Sequence, residues 1–145
     1  MKNQADAELV QNLVKNFSKL ERRQRHFVNN AFKSSGFKGT MYKYVITIKR
    51  HPGTSQDFLA EFHSVDKSRV TRVVRELERM GHLSRVANES DRRCYRLFLT
   101  ARGQRLFNTI QKVLMKWGTV ITENISAANI SVTVDTIEKM IANAG

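Results

Sequence analysis

Hydrogen-bonding side chains recur at intervals of three and four residues between positions 68 and 79. They are Ser68, Thr71, Arg72, Arg75 and Arg79. In an α-helix this spacing puts them on one face. The opposite face would carry only apolar side chains: Val70, Val73, Val74, Leu77 and Met80. Arginine can donate two hydrogen bonds to a guanine, and hydroxyl groups reach bases or phosphates. The pattern predicts a helix face that contacts nucleic acid, although a solvated basic face would look the same.

A second basic group lies in ANESDRRCY, residues 87–95, between the strand-like runs HLSRVA and YRLFLT. The tip of a tight hairpin usually contains glycine next to asparagine or aspartate. This one contains Asp91, Arg92 and Arg93 instead. The minor groove of DNA has a negative potential that attracts arginine. We therefore interpret the stretch as a longer loop, and we expect its arginines to meet a polyanion.

The elements that would position both groups can be predicted from local signals. Ser55 is a typical N-cap for the short helix QDFLAEFH, whose Phe58, Leu59 and Phe62 are expected to face inward. HSV, residues 63–65, makes a tight connection to a helix that starts near Asp66 and ends before Gly81. Two short helices followed by a hairpin are the order of a winged helix-turn-helix.

Amphipathic helices are predicted on both sides of this segment. Residues 5–33 form one long helix with a wide apolar stripe, and a second helix carries Met41, Tyr44, Val45 and Ile48. Thr100 can cap a further helix, and a last helix follows the polar joint SAANIS at 126–131. The predicted fold class is all-α with a small β-hairpin wing.

The bulk composition favours a polyanionic partner. The 145 residues include 25 Lys and Arg against 13 Asp and Glu, a net charge of +12. We expect DNA or RNA rather than a membrane surface, because no lipidation signal or Trp-rich amphipathic helix is present. A single cysteine excludes an internal disulfide and is typical of a reducing cytoplasm, which is the expected location.

The stretches SQDFLAEF, VDKSRVTRVVRELERMGHLSRV and ESDRRCYRLFLTARG resemble the MarR family of bacterial transcriptional regulators. The resemblance covers roughly residues 55–105 and includes several linked motifs in the right order. It implies a winged helix-turn-helix lobe at 35–105 and dimerisation helices at 1–34 and 106–145. It also implies a homodimer that binds a pseudo-palindromic operator on double-stranded DNA, usually as a repressor.

The resemblance also implies roles for single residues. By position in the motif, Ser68, Thr71 and Arg72 would face bases, and Lys67, Arg69 and Arg75 would contact bases or phosphates. In the wing, Arg93 takes the groove position, Asp91 is the acid that orients it, and Arg92 contacts a phosphate. A small-molecule effector, anionic or aromatic, would bind between the lobes, in a pocket whose residues the sequence does not reveal.

Other sites and functions fit the sequence less well. Arg92 and Arg93 could lower the pKa of the Cys94 thiol and make it a redox switch, but an ordinary thiol without a resolving partner fits better. The four histidines lack ligand spacing, and no catalytic motif occurs, so we expect no metal, no cofactor and no enzyme activity. A general basic nucleic-acid binder, architectural or RNA-directed, remains the alternative.

Overall fold

The structure is a computed structural model that describes residues 4–145. It contains six helices and one hairpin: α1 (Gln4–Ala31), α2 (Tyr42–Arg50), α3 (Gln56–Phe62), α4 (Lys67–Arg79), β1 (Leu83–Ala87), β2 (Tyr95–Leu99), α5 (Ala101–Ile121) and α6 (Ala127–Ala144). Short 3-10 turns at Lys33–Ser35 and Gly39–Met41 connect α1 to α2. The predicted fold class, all-α with a small hairpin, is confirmed.

The capping residues expected from the sequence are at the predicted helix ends. Ser55 Oγ accepts a hydrogen bond of 3.0 Å from the Phe58 amide at the start of α3. Thr100 Oγ1 does the same for Gly103 at 3.0 Å, and Ser126 Oγ for Asn129 at 3.2 Å. Asp66 is the N-cap of α4, but its side chain makes no capping hydrogen bond. Gly81 ends α4 with a φ of 76°, which favours glycine.

The strands pair antiparallel, from Leu83 opposite Leu99 to Ala87 opposite Tyr95. Main-chain hydrogen bonds of 2.8 Å also join Gly53 and Thr54 to Leu97 on the outer edge of β2. The chain before α3 therefore extends the hairpin by a single bridge. This bridge ties the wing to the helix-turn-helix.

The apolar core gathers around the faces of α2, α3 and α4 that point away from solvent. Its fully buried members are Val28, Tyr44, Val45, Ile48, Leu59, Val70, Val74, Leu77, Leu97 and Ile110. Phe62 was expected to face inward, and this prediction is wrong, since its side chain is 57% exposed. The buried face of α3 is centred between Leu59 and Ala60, and at 100° per residue Phe62 lies roughly 110° from that centre. Its ring instead stacks on Phe58, with centroids 5.5 Å apart.

The chain divides into two compact units, residues up to Val113 and Leu114–Gly145. In the first unit, the N-terminal part of α1 exposes apolar side chains: Leu9, Val10, Leu13, Val14, Phe17 and Leu20. In the second unit, α6 has no buried residue and exposes Val132, Val134 and Ile141. The division into a lobe at 35–105 and dimerisation helices at 1–34 and 106–145 stays a prediction, and residues 1–3 lie outside the described part.

Among residues 4–145, no helix is both long enough and apolar enough to cross a membrane.

Candidate nucleic-acid interface

Helix α4 presents a polar face to solvent because its apolar residues fix the other face in the core. Val70, Val74 and Leu77 are completely buried. Ser68, Arg72 and Arg75 lie on the opposite, exposed side. None of these three side chains forms an ion pair or a side-chain hydrogen bond with another of the described residues 4–145. Their donors are therefore available to a partner outside the chain.

Other polar residues of α4 are engaged within the protein. Lys67 Nζ lies 3.0 Å from Asp57 Oδ1 on α3. Arg79 binds Glu76 through two hydrogen bonds of 2.7 and 2.9 Å, which hold the pKa of the Glu76 carboxyl below its usual range. Arg79 was expected to belong to the free basic face, and the structure pairs it instead. The exposed row is thus narrower than the sequence pattern suggests.

Thr71 has a different environment from its neighbours in that row. It is half-buried, and its Oγ1 lies 2.9 Å from both Gln56 Oε1 and the Lys67 carbonyl. A hydroxyl has one hydrogen to donate, so the two acceptors compete for it. Gln56, the first residue of α3, was not singled out from the sequence, because nothing local marks it as a partner of α4. The contact joins α3 to α4 beside the exposed row.

Arg69 faces another side of the molecule. It lines a small depression of about 120 Å³ together with Arg25, Tyr42 and Lys43. Burial and the Arg69 charge together lower the pKa of the Lys43 ammonium. The structure therefore places Arg69 toward α1 and α2, to one side of the row formed by Ser68, Arg72 and Arg75.

The wing loop, residues 88–94, is ordered by its own polar groups. Asn88 donates its amide to the Cys94 carbonyl at 3.0 Å, and its side-chain oxygen accepts from Ser90. Asp91 Oδ1 accepts a hydrogen bond of 3.0 Å from the Arg93 amide. No ion pair joins the Asp91 and Arg93 side chains in the described part of the chain. Asp91 therefore holds the Arg93 backbone, and the exposed guanidiniums of Arg92 and Arg93 stay free.

Cys94 lies next to an acidic side chain. Its thiol lies 3.6 Å from Asp91 Oδ2. The negative charge of Asp91, followed by burial, raises the thiol pKa above its ordinary value. The sequence left open that the neighbouring arginines lower this pKa, and the structure shows the opposite direction because the thiol lies beside the carboxylate. A raised pKa makes a thiol less reactive.

Arg85 connects α4 to both strands of the wing through an ion pair and a cation–π contact, which together we call the brace. Arg85 on β1 lies 2.7 Å from Glu78 on α4, and its guanidinium sits 5.1 Å from the ring centroid of Tyr95 on β2. Arg85 and Glu78 are about one third exposed, at 29% and 37%. These contacts fix the wing relative to the exposed row of α4. Sequence reasoning missed the brace because it joins residues of different elements.

The central part of the chain matches a known protein family. Residues 39–95 match the family model described as MarR family. The HTH-type transcriptional regulator BilQ of Clostridioides difficile (strain CD3) is 25% identical over 118 residues, which cover 81% of this chain and 75% of that protein.

Solved structures have the same fold. A MarR transcriptional regulator from Methanosarcina mazei Go1 superposes with a TM-score of 0.87 at 24% identity, covering 92% of this chain and 96% of its own. A protein from Listeria monocytogenes, assigned to MarR family transcriptional regulators, was solved with a 26mer DNA. It superposes with a TM-score of 0.80 at 21% identity, and the match covers 99% of this chain and 89% of that chain. Residues 39–95 of this chain are therefore similar to the MarR family, and its fold is that of solved MarR-family structures.

Proposed function

We propose that this protein is a transcriptional regulator that binds a pseudo-palindromic operator as a homodimer and represses the adjacent genes. The observation that carries the proposal is the exposed row of Ser68, Arg72 and Arg75, whose donors have no partner within the described chain. A buried apolar face on the same helix keeps this row turned outward. Helices placed in this way read the major groove in winged helix-turn-helix proteins.

The same proposal gives the other predicted residues their roles. Ser68, Arg72 and Arg75 contact bases or phosphates directly. Lys67 does so only after exchanging Asp57 for a phosphate, and Thr71 after releasing Gln56. A role for Arg69 at phosphates would require its side chain to turn away from Lys43.

The wing supplies a second contact. Arg93 enters the minor groove, Arg92 meets a phosphate, and Asp91 keeps the loop in shape through the Arg93 amide. Because phosphate contacts fix register and base contacts select sequence, the wing contributes mostly affinity. The Listeria monocytogenes protein with this fold was solved with a 26mer DNA, which supports DNA as the partner.

The homodimer is supported by apolar side chains that the single chain leaves uncovered. Leu9 is 70% exposed on α1, and Ile141 is 67% exposed on α6. Exposed apolar stripes of this kind mark interaction surfaces in soluble proteins. Two chains joined through α1 and α6 would present two copies of α4 about one helical turn, ~34 Å, apart on DNA.

A small-molecule effector would release the dimer from its operator.

The proposal is tested by measuring the affinity of the protein for the DNA upstream of its own gene and for a shuffled duplex of equal length. At about 150 mM salt a specific regulator should bind its site at least ~10³-fold more tightly than random DNA. Equal affinity for both duplexes, with the same steep salt dependence, would favour the non-specific basic binder instead.

A further inference from the structure

Three aromatic rings meet on the surface where the end of α2 approaches α3. The rings of Phe58 and Phe62 stack with centroids 5.5 Å apart. The His51 ring lies 5.1 Å from Phe58 and 5.9 Å from Phe62. His51 is exposed, and Phe62 is 57% exposed. We call these three residues the α2–α3 patch. A cluster of apolar rings that the single chain leaves uncovered is typical of an interaction surface.

The rings of the patch are ordered by the residues beneath them. The Phe62 ring also meets the half-buried His63 ring, with centroids 5.1 Å apart, and His63 lies 4.8 Å from the buried ring of Tyr44. His63 Nε2 lies 3.0 Å from Thr47 Oγ1 on α2. Because these contacts already restrict the rings, a partner that docks on them would lose little further side-chain entropy.

A positive charge borders the patch on the α2 side. Thr47 marks the side of α2 that faces α3, since its hydroxyl meets His63. At 100° per residue, Arg50 lies roughly 60° around the helix from Thr47, toward solvent. Arg50 is exposed, and it forms no ion pair or side-chain hydrogen bond within the described residues 4–145. Its guanidinium is therefore free beside the rings.

A negative charge borders the patch on the opposite side. Glu61 follows Phe58 by three residues on α3, so their side chains are neighbours on the helix surface. The rings turn toward α2, whereas Asp57, one turn before Glu61, turns toward α4 and meets Lys67. Glu61 therefore lies on the side of the rings away from Arg50. It is exposed, and no ion pair involves it in the part of the chain that the structure describes.

This order of charges is self-complementary. In a contact between two identical surfaces related by a two-fold axis, each residue meets the partner's copy of its counterpart. An axis through the stacked rings would set Arg50 opposite the partner's Glu61, and Glu61 opposite the partner's Arg50. A partner of one charge sign would pair with only one of these two residues. The pattern therefore favours a second copy of this chain as the occupant.

We propose that the α2–α3 patch docks onto the same patch of a second copy of this chain. The contact is separate from the proposed dimer through α1 and α6, because α1 packs on the turn Gly39–Met41 at the other end of α2. It also uses no residue of the exposed row or of the wing. Standard interfaces bury about 1,600 Å², and this one is much smaller, so we expect a Kd on the order of 0.1 mM.

So weak a contact acts only between copies that are already held close together. Two dimers bound at neighbouring sites on one DNA would be in this situation, with an effective concentration of roughly 1 mM. The patch would then make their binding cooperative. This consequence rests on the proposed function, whereas the docking of the two patches does not.

Docking is tested without DNA, by sedimentation equilibrium of the full-length protein between about 10 µM and 1 mM. The weight-average mass of the wild type should rise over this range. Phe62→Ser should abolish the rise, with an unchanged circular dichroism spectrum because the ring is exposed. Val86→Ser, which removes another apolar side chain that is 50% exposed, should rise like the wild type. A constant mass in the wild type, or the same rise in Phe62→Ser, would overturn the proposal.

Charge reversal tests the pairing of the two patches. Arg50→Glu and Glu61→Arg should each abolish the rise, because like charges would then face each other. The double variant, which carries both substitutions, restores opposite charges and should associate like the wild type. An equimolar mixture of the two single variants should also associate. Single variants that associate normally, or a double variant that does not associate, would exclude this pairing.

Cooperativity is tested with duplexes that carry one or two copies of the selected DNA site at a series of spacings. At a permitted spacing, the second wild-type dimer should bind about tenfold more tightly than the first, the ratio of an effective concentration of ~1 mM to the expected Kd. Phe62→Ser should lose this gain and keep its single-site affinity. A gain that is absent, or that persists in Phe62→Ser, overturns the cooperative consequence alone. Failure of the protein to select any DNA would refute the proposed function and leave the sedimentation results valid.

Discussion

Asp91 Oδ1 accepts the Arg93 main-chain amide at 3.0 Å, while the Arg93 guanidinium extends into solvent without an ion pair in the described chain. The acid therefore shapes the backbone of the wing loop and leaves the arginine charge free for a partner. A side-chain ion pair would have offset that charge. This arrangement separates the structural role of Asp91 from the binding role that we propose for Arg93, and the two can be tested separately.

Replacing Asp91 with alanine removes one hydrogen bond from the wing loop. Such a bond contributes about 1 kcal/mol, so we expect DNA affinity to fall about fivefold. Asp91→Asn keeps an oxygen acceptor and should restore most of the loss. Fluorescence anisotropy with a labelled operator measures both variants. Equal losses in Asp91→Asn and Asp91→Ala would mean that the carboxylate charge matters and the oxygen acceptor does not.

The Asp91 charge also controls the Cys94 thiol. A raised pKa leaves less thiolate at a given pH, so removing the negative charge should lower the pKa and speed alkylation at pH 7.5. We expect faster reaction with iodoacetamide in Asp91→Asn, with the pH–rate profile moved to lower pH. Glu89→Gln, which removes a carboxylate from the same loop, serves as control and should react like the wild type. Identical pH–rate profiles for the wild type, Asp91→Asn and Glu89→Gln would contradict an effect of the Asp91 charge on the Cys94 pKa.

A redox role for Cys94 is not expected, because its thiol is poorly ionised. Cys94→Ser should bind DNA with unchanged affinity, before and after peroxide treatment. The measurement is the same anisotropy titration with and without peroxide. A peroxide response in the wild type that Cys94→Ser lacks would show that the thiol is a sensor.

Gly103 allows α5 to approach the chain that leaves α4. A Cβ at this position would collide with the His82 carbonyl, so Gly103→Ala should lower the free energy of unfolding by about 1–3 kcal/mol. Gly118 lies in the same helix, and the space that a Cβ would fill there has no neighbouring atom within 4 Å. Gly118→Ala should be neutral or stabilising, because alanine favours helix over glycine. Thermal unfolding followed by circular dichroism compares the two.

The apolar stripe of α1 is predicted to form the dimer interface. Leu9→Glu places a charge on this stripe and should shift the protein toward monomer in sedimentation velocity. Its fold should survive, because Leu9 is 70% exposed in the single chain. Gln11→Glu adds the same charge away from the stripe and should remain dimeric. A stable Leu9→Glu dimer would exclude this part of α1 from the interface.

The order of elements could be predicted from sequence because its signals are local. Ser55, Thr100 and Gly81 mark helix ends within a few residues of the bonds they make, and the 3-4 spacing of Val70, Val74 and Leu77 defines a buried face. Phe62 was misplaced because a helix as short as α3 offers too few residues to fix the centre of its buried face.

The partners of the site residues could not be predicted in the same way. Lys67 meets Asp57, and Thr71 meets Gln56, across two helices whose separation depends on the packed core. Glu78 and Arg85 are brought together by the turn at Gly81. The direction of the Cys94 pKa depends on which of several nearby charges is closest, which residue spacing alone does not show.

Binding-site selection from a random DNA pool tests sequence-specific reading by α4 most directly. Wild-type protein should enrich an inverted repeat whose half-sites are about one helical turn apart. Arg72→Ala should lose preference at one base in each half-site, with a loss of ~1–3 kcal/mol, and Arg22→Ala, with the same charge removed from α1, should keep the full preference. Enrichment of no inverted repeat by the wild type, or an unchanged preference in Arg72→Ala, would contradict the proposed role of α4.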